Sequence, residues 1–529
     1  MKSLSLKKEF FLTFFVALYC FYELITTLIE VWGFTTDDAY IGWIYARQLV
    51  DGNGLQWHVD LPRVEGYSNF LWVIIASIVM KAQLPLLNTI KFISCLSLAG
   101  GLFSLYRIGR LFFSPLLAML PVFMFSHFIG VSWWTVSGLE TAFYCALSLF
   151  LVWQSMAAFG YLPIRATSTI ANGFLISTPA WVLTNCTLLL LSLTRFEGGI
   201  WCIPILLFIV FHLKQHGIRS VFPESKTILL WGCITLLCFV LPYIVYFIWR
   251  WSYFGYLIPN SYRCKGLAPG QFFAIDLDYF LLLLPLIIVS VPYFLSLKDS
   301  RHWLLWSPSV LYAILLWEAN PVITYFLRLF LGPLALFTLL PVLGVSYLLD
   351  YFKLNRFDAK IVTTAVIILL TLVFIPGNDL QYLHAFIRQY KEKTQIRLAV
   401  ANILNTQATK GAAVFFGDNG IVPFTVRHDI RFIDTDCLNN PELTHPPYKG
   451  NLALYAKHIA TEVKPEWVIT TYEPLQDQEN CIFKLLRKEH FFEKYQLITQ
   501  LQSGWINEQA PGHSKRTIDY IYTVYKRRI

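Results

Sequence analysis

The chain has 529 residues, of which 56% are hydrophobic, 17% are aromatic and only 14% are charged. Soluble globular proteins carry about 25% charged residues, and no water-soluble fold could bury this much apolar surface. Lipid must therefore cover part of the molecule. The net charge of +9 comes from Lys and Arg residues in short clusters between apolar runs. This pattern is typical of cytoplasmic loops and indicates no nucleic-acid partner.

Eleven apolar segments are each long enough to cross a membrane, some only with tilt. They lie at about 10–30, 88–106, 111–130, 139–156, 172–193, 197–213, 228–249, 279–297, 303–317, 328–349 and 361–376. The first follows the basic residues Lys2, Lys7 and Lys8, and no small-residue cleavage site comes after it. It therefore predicts an uncleaved transmembrane helix rather than a signal peptide. A twelfth apolar run, 69–80, is shorter.

The basic residues predict the topology. If the N-terminus is cytoplasmic and 69–80 does not cross, every basic loop lies inside, as the positive-inside rule requires. These loops carry Arg107, Arg110, Arg165, Lys214, Arg219, Lys226, Lys298, Arg301, Lys353, Arg356 and Lys360. If 69–80 crosses, all later loops invert and the rule fails. We therefore expect about eleven spans, an external loop at 31–87 with a membrane-lying helix, and an external C-terminal domain.

Composition changes at residue 377, where charged residues become frequent and Trp and Phe become rarer. Strand-like pieces such as AAVFF and WVITTY alternate with polar helical stretches. The pattern predicts a membrane module at 1–376 and a soluble α/β domain at 377–529. The expected fold class is a polytopic α-helical membrane protein with a C-terminal soluble α/β domain.

The first external loop reads TTDDAYIGWIYARQLVDGNGLQWHVDLPRVEGYSNFLW and begins with an acidic pair, Asp37 and Asp38. Adjacent carboxylates at a membrane surface repel each other and lose hydration. A general base, a metal ligand, or both would explain them. An N-cap for the helix AYIGWIYARQLV explains them equally well, because Asp favours that position. One Asp can also cap the helix while the other catalyses.

Further along this loop, DGNG has the composition of a turn. Arg63 and Glu65 follow, next to Pro62 and Gly66. These two charged residues either bind a substrate or pair with one another.

The loop resembles the signature of polyprenyl-phosphate-sugar-dependent transferases with the GT-C fold. It is most similar to the group of the mycobacterial terminal arabinofuranosyltransferases and their bacterial relatives. That signature is an acidic pair followed by an aromatic residue, an Arg, a Gly-rich turn and a segment like VEGYSNFLW. The matching residues are Asp37, Asp38, Tyr40, Arg47, Gly52, Gly54, Glu65, Gly66, Tyr67, Ser68, Asn69 and Trp72.

Four later segments resemble the same family in the same order. They are WTVSGLETAFY with Ser137 to Thr141, LTRFEG with Arg195 and Glu197, YFGYLIPNSYRCKG with Pro259, Asn260, Tyr262 and Lys265, and FGDNGIVPFTVRHDIRFIDTDCLNNPEL with Asp418, Gly420, Pro423, Asp434 and Leu438. Relatives often carry Gly-Gly-Asp-Trp where this chain has LWEANPVITYFLR. Either Glu318 replaces that Asp, or its role is lost.

The resemblance implies a glycosyltransferase of the inner (plasma) membrane, with its active site on the external or periplasmic side. The donor would be a polyprenyl-phosphate sugar, such as an arabinofuranose, and the acceptor a cell-envelope glycan or glycolipid. A lipid phosphate leaves as a stable anion, so one carboxylate suffices where a glycosidase needs two. Asp37 would be the base of an inverting displacement, and Asp38 would position the acceptor or hold a divalent cation. No other cofactor is implied.

The same resemblance assigns binding roles. Lys265, Arg195 and Arg63 would hold the donor phosphate, a task suited to cationic side chains. The other implied substrate-binding residues are Glu65, Tyr67, Glu140, Glu197, Asn260, Tyr262 and Glu318.

Several alternatives stay open. Glu140 and Arg195 could form a structural ion pair between helices, and Lys265 could extend to the membrane interface without binding substrate. A transporter or flippase for lipid-linked glycans would also bury charges in a helix bundle. A non-catalytic membrane scaffold with a sugar-binding external domain is a third function class.

Ten cysteines are present, most of them inside apolar segments, and none has metal-ligand spacing. Cys264, Cys437 and Cys481 lie in polar sequence. Cys437 and Cys481 are the two in the domain expected outside, where disulfides persist. They either bridge or remain two thiols.

Overall fold

The computed structural model describes residues 2–163, 176–264, 274–295, 299–317, 325–354, 356–377, 380–475, 477–506 and 516–528. Arg165, Lys265, Lys298 and Glu318 lie outside these residues. The chain divides into two compact units. Unit 1 is Met1–Trp32, Ile90–Trp249 and Leu267–Asp379, and unit 2 is Gly33–Thr89, Arg250–Gly266 and Leu380–Ile529.

Helices dominate the chain because, in lipid, an apolar segment must pair its backbone groups internally. In chain order they are α1 (Lys2–Val31), α2 (Asp37–Val50), α3 (Phe70–Lys81), α4 (Leu86–Arg110), α5 (Pro115–His127), α6 (Ile129–Val136), α7 (Thr141–Ala158), α8 (Thr178–Thr194), α9 (Cys202–His216), α10 (Ile218–Val221), α11 (Ser225–Thr235), α12 (Leu241–Phe254), α13 (Asn260–Cys264), α14 (Ala274–Phe294), α15 (His302–Leu316), α16 (Leu331–Phe337), α17 (Leu339–Tyr351), α18 (Arg356–Phe374), α19 (Leu380–Gln407), α20 (Ile421–Thr425), α21 (Leu452–His458) and α22 (Cys481–Lys488). Short 3-10 turns lie at Phe196–Trp201, Tyr325–Phe330, Pro441–Thr444 and Phe491–Lys494, and π turns at Leu236–Val240 and Ile459–Val463.

The chain is a polytopic α-helical membrane protein. Within the described residues, eight helical stretches are long and apolar enough to cross a membrane. A ninth candidate is α5 with α6, bent by 63°. The shorter apolar helices are α3, α8 and α15. Each of the eleven apolar segments therefore contains a helix, while the number of crossings stays a prediction.

Unit 1 is a helix bundle with a protein-covered centre. The stretch Phe326–Tyr351 is mostly buried, whereas Ser225–Phe254 is almost wholly exposed. Helix α17 packs closely on α14 at Gly344, where an added Cβ would lie 2.1 Å from the Val289 carbonyl oxygen. Small residues permit such close approach between membrane helices.

Unit 2 contains a six-stranded sheet in the described residues. Its strands are β1 (Ala413–Phe416), β2 (Arg431–Asp434), β3 (Trp467–Glu473), β4 (Gln478–Glu479), β5 (Tyr495–Ile506) and β6 (Arg516–Arg527). The order is β2-β1-β3-β6-β5, with β4 paired to β3. Strand β1 runs parallel to β2 and β3, whereas β6 is antiparallel to β3 and β5. The strands predicted from AAVFF and WVITTY are confirmed as β1 and β3.

The loop after α1 belongs to unit 2. Trp43 of α2 packs edge-on against Phe424 of α20, with ring centroids 6.1 Å apart. The Trp57 indole donates to the Phe432 carbonyl over 3.1 Å. The glycines of DGNG adopt positive φ, as a turn of that composition requires. Residues 33–89 thus fold onto the C-terminal sheet.

A disulfide joins Cys264 at the end of α13 to Cys437 after β2, with Cα atoms 5.7 Å apart. The Cys437–Cys481 bridge is therefore wrong, and so is the alternative of two thiols, because Cys437 is oxidised. Cys481 is a free, exposed thiol. Asn260 explains the choice of partner, since its amide donates to the Cys437 carbonyl over 2.7 Å and holds α13 beside that loop.

Peptide mapping tests this pairing. Non-reducing tryptic digestion should yield the dipeptide Cys264–Lys265 linked to peptide 432–449, while Cys481 should react with a thiol reagent without prior reduction. The double variant Cys264→Ser/Cys437→Ser should lose about 2–5 kcal/mol of folding stability. The matched variant Cys481→Ser should unfold like the wild type. A linked peptide that contains Cys481 would contradict the assignment.

Candidate functional site

The acidic pair opens helix α2. Thr36 occupies the N-cap position with extended backbone angles, and Asp37 and Asp38 form the start of the first turn. The proposed N-cap role of an Asp is therefore wrong. Both carboxylates instead lie at the positive end of the helix dipole, which favours negative charge there.

Asp37 is enclosed by the loop after β1. Its Oδ1 accepts a hydrogen bond from the Ile421 backbone N–H over 2.8 Å and lies 3.4 Å from Arg397 Nε. A Cβ added to Gly420 would lie 2.2 Å from both the backbone oxygen and Oδ2 of Asp37. Only glycine fits against this carboxylate. The Asp37 side chain is 13% exposed.

Arg397 of α19 joins Asp37 to Asp418. Its Nε donates to Asp418 Oδ2 over 2.9 Å, and the Tyr522 hydroxyl of β6 donates to the same oxygen. We call Asp37, Arg397, Asp418 and Tyr522 the unit 2 charge cluster. It connects the first loop with α19, the end of β1 and β6.

Burial and neighbouring charges shift the pKa values of Asp37 and Asp418 in opposite directions. Burial raises the pKa of Asp37 well above its ordinary value, Arg397 opposes this shift, and the Asp418 carboxylate reinforces it. For Asp418 burial also acts upward, but the Arg397 charge and the hydrogen bonds from Asp37 and Tyr522 lower its pKa below the ordinary value. The neutral state of the cluster therefore has Asp37 protonated and Asp418 ionised.

Asp38 has a different environment although it is the next residue. Its side chain is exposed. The sequence cannot distinguish the two acids, whereas the structure makes one a buried member of a charge cluster and leaves the other at the surface.

Arg63 and Glu65 do not pair with each other, so that alternative is wrong. Glu65 is buried, and its Oε2 accepts a hydrogen bond from Arg250 Nε over 2.8 Å. Arg250 Nη2 lies 2.6 Å from the same oxygen, as an ion pair. Arg63 is exposed, with its guanidinium over the Tyr253 ring at 4.5 Å from the centroid. Glu65 is thus a structural residue, while Arg63 presents a cation at the surface of unit 2.

The other expected binding residues of unit 2 make mainly structural contacts. Tyr67 is 3% exposed, with its ring against Tyr45. Both amide hydrogens of Asn260 are used by the Cys437 and Leu438 carbonyls. Tyr262 is half-buried on α13.

Unit 1 contains a second group of charges, which we call the unit 1 charge cluster: Glu140, Arg195, Glu197 and Arg328. Arg195 bonds to both Glu140 and Glu197, and Arg328 Nη2 lies 3.0 Å from Glu140. Glu140 is fully buried. Arg195 thus forms the ion pair with Glu140 that the structural alternative for these two residues expects.

Three charged partners were not singled out from the sequence. Arg250 and Arg328 carry no local pattern that distinguishes them from interface residues. Arg397 does carry one, because it precedes the buried Val400, Ala401 and Leu404 at helical spacing. A charge on the apolar face of a helix predicts a buried partner.

The described residues contain no group of three or more His, Cys, Asp or Glu side chains that could hold a metal ion.

The fold matches solved membrane transferases over nearly the whole chain. ArnT from Cupriavidus metallidurans bound to undecaprenyl phosphate superposes with a TM-score of 0.56 at 11% identity, covering 97% of this chain and 98% of that one. The oligosaccharyltransferase of Archaeoglobus fulgidus in the apo form gives 0.52 at 12% identity, covering 91% and 80%. The fold is of the GT-C type. At such low identity the likeness concerns the fold alone, and the arabinofuranosyltransferase group stays a prediction.

Sequence comparison adds less. A family model described as a domain of unknown function, DUF8728, matches residues 385–525. This region contains most of α19 and most of the sheet of unit 2. No curated protein matches the chain in sequence.

The raised pKa of Asp37 predicts a pH-dependent stability difference. Below the ordinary Asp pKa of about 3.9, Asp37 is protonated in both the folded and the unfolded states. As the pH rises, ionisation favours the unfolded chain, so the wild type should lose stability relative to Asp37→Asn. Thermal unfolding of both proteins from about pH 4 to about pH 8 measures this difference. Asp350→Asn, at an exposed site of unit 1, should follow the wild type. A difference that is constant with pH would contradict the assignment.

The unit 1 charge cluster predicts energetic coupling. Glu140→Gln leaves two buried guanidiniums with one carboxylate and should cost about 3–5 kcal/mol. Arg328→Gln should cost less in the Glu140→Gln background than in the wild type, because its partner is already gone. A double-mutant cycle of unfolding midpoints in detergent measures this. The exposed Glu224→Gln serves as the control, and strict additivity would argue against the pairing.

Proposed function

We propose that the protein is a membrane glycosyltransferase that moves a sugar from a polyprenyl-phosphate donor to a cell-envelope glycan or glycolipid. The observation that carries the proposal is the GT-C fold shared along 97% of the chain with a transferase bound to undecaprenyl phosphate. The acidic pair and the exposed Arg63 supply the residue types that this chemistry needs. The resemblance of the first loop makes polyprenyl-phosphate arabinofuranose the first donor to test.

The sequence suggested Asp37 as the general base. We assign this role to Asp38 instead. A base must reach the acceptor hydroxyl and accept its proton. Asp37 is enclosed by Arg397, Ile421 and Gly420 and its side chain is only 13% exposed, so an acceptor hydroxyl has little access to it. Asp38 is exposed and lies on the same helical turn. Direct displacement by this single base inverts the anomeric carbon.

The donor phosphate needs a cation that is not already neutralised. Arg195 is shared between two carboxylates, so it is a poor candidate. Arg63 is exposed and stacked on Tyr253, which holds the guanidinium in place. We assign the phosphate contact to Arg63, whose planar fork suits phosphate oxygens. Lys265 remains a proposed second contact.

The active site would lie on the external, periplasmic side of the inner (plasma) membrane. The basic loops of the membrane module support this orientation under the positive-inside rule. The Cys264–Cys437 disulfide supports it independently, because disulfides persist in oxidising compartments.

Analysis of a deletion strain tests the function. Loss of the gene should remove one sugar from the envelope glycan and cause one polyprenyl-phosphate sugar to accumulate in the lipid extract. The wild-type gene should restore both. An unchanged glycan and carrier pool would contradict the proposal.

Asp38→Asn should abolish transfer, because a nearly isosteric carboxamide cannot take the proton. Loss of a general base costs about 10²–10⁴ in rate. The purified variant is assayed with lipid extract and envelope glycan from the deletion strain as donor and acceptor. Asp60→Asn, in the same loop, is the matched control and should retain activity. Turnover of Asp38→Asn near that of wild type would refute the base assignment.

A further inference from the structure

The first turn of α2 is held by the C-terminal sheet through one side chain. Asp37 receives the Ile421 N–H at 2.8 Å, lies 3.4 Å from Arg397 Nε, and fits against Gly420, where no Cβ could be accommodated. All three contacts come from residues after 380. Together they hold both the carboxylate and the backbone of Asp37 in place.

The groups that hold Asp37 are themselves rigidly placed. Arg397 is 7% exposed and is bonded to Asp418, which in turn receives the Tyr522 hydroxyl. Asp418 lies just after β1, and Tyr522 lies within β6, so both are anchored to the sheet. The position of Asp37 is therefore set by the sheet and by α19.

The rest of α2 docks on the same side of unit 2. The Tyr40 ring packs against Phe424 of α20 at a centroid distance of 5.4 Å. Arg47 donates to the Phe424 carbonyl over 2.7 Å. These contacts hold the body of the helix, whereas the Asp37 contacts hold the turn that carries Asp38.

We propose that Arg397 and Gly420 are positioning residues, which act through Asp37 to place the Asp38 carboxylate for proton transfer. This inference rests on the proposed function of Asp38. The C-terminal domain then contributes to the rate of transfer without touching the reacting atoms. A displacement of about 1 Å in a catalytic group can cost about 10²-fold in rate, so a loosened first turn should reduce turnover.

The charges of the unit 2 charge cluster determine which substitutions of Asp37 should preserve the first turn of α2. Two carboxyl groups share one guanidinium, so the neutral cluster holds one proton on Asp37. Asn at position 37 has the shape of that protonated acid: its oxygen can accept from Ile421 and its amide can donate to Asp418. Asp37→Asn should therefore keep the turn in place, whereas Asp37→Ala should not.

The experiment compares apparent kcat and KM of purified full-length variants, with lipid extract and envelope glycan of the deletion strain as donor and acceptor. Arg397→Met and Gly420→Ala should each lower kcat about 10–100-fold while KM for the donor stays within about threefold. Arg397→Lys should recover part of the loss, because the cation is restored without the fork. Asp37→Asn should stay within about fivefold of wild type.

Matched controls separate positioning from general damage. Arg487→Met removes an exposed ion-paired arginine of α22, and Gly232→Ala adds a methyl group where no atom lies within 4 Å. Both should retain wild-type kcat. If Arg397→Met does not fold, Gly420→Ala carries the test, because it leaves every charge in place.

The outcomes also distinguish this inference from the proposed function. An inactive Asp38→Asn together with wild-type kcat in Arg397→Met or Gly420→Ala would overturn the positioning role alone. An active Asp38→Asn together with an inactive Asp37→Asn would overturn the base assignment and the positioning role with it. Loss of folded protein in proportion to loss of rate, with unchanged kcat per folded molecule, would reduce Arg397 to a stabilising residue.

Discussion

Two carboxyl groups that share one buried guanidinium are the constraint on which the structure of unit 2 depends. Removing Asp37, Arg397 and Asp418 from water is costly unless each is paired and hydrogen-bonded. The requirement can be met only when the first loop, α19 and the end of β1 come together. Burial in this cluster raises the pKa of Asp37, although Arg397 opposes the shift. The need to pair these three charges therefore brings distant segments of unit 2 together. It also buries Asp37 and leaves Asp38 exposed.

The unit 1 charge cluster also pairs buried charges, but its arginines are engaged by carboxylates. There, two guanidiniums form ion pairs with two acids, and Arg195 bridges both acids. An arginine in such an arrangement is less available to an anionic substrate than Arg63, which lies exposed over an aromatic ring. Charged residues near membrane helices are functional candidates by default, but the number and sign of their neighbours decide which of them can still bind.

Some of the candidate site could be predicted from local pattern. The acidic pair at the start of a helix was visible, and so were the turn at DGNG and the cation at Arg63. The partners were not. Glu65 bonds to Arg250, 185 residues away, and Asn260 bonds to a carbonyl 177 residues away. Arg397 was not singled out either, although a charge at an apolar helical position indicates a buried partner without naming it.

The sequence by itself determined the membrane class, the apolar helices and the strands β1 and β3, because these depend on hydrophobicity and periodicity over ten to twenty neighbouring residues. Only the tertiary structure decided which cysteine pairs with Cys437 and which member of the acidic pair is buried. A disulfide needs two Cα atoms within about 7 Å. A pKa depends on every charge and dipole nearby in space. Both are properties of distances between residues that are remote in sequence, and distance along the chain carries no information about them.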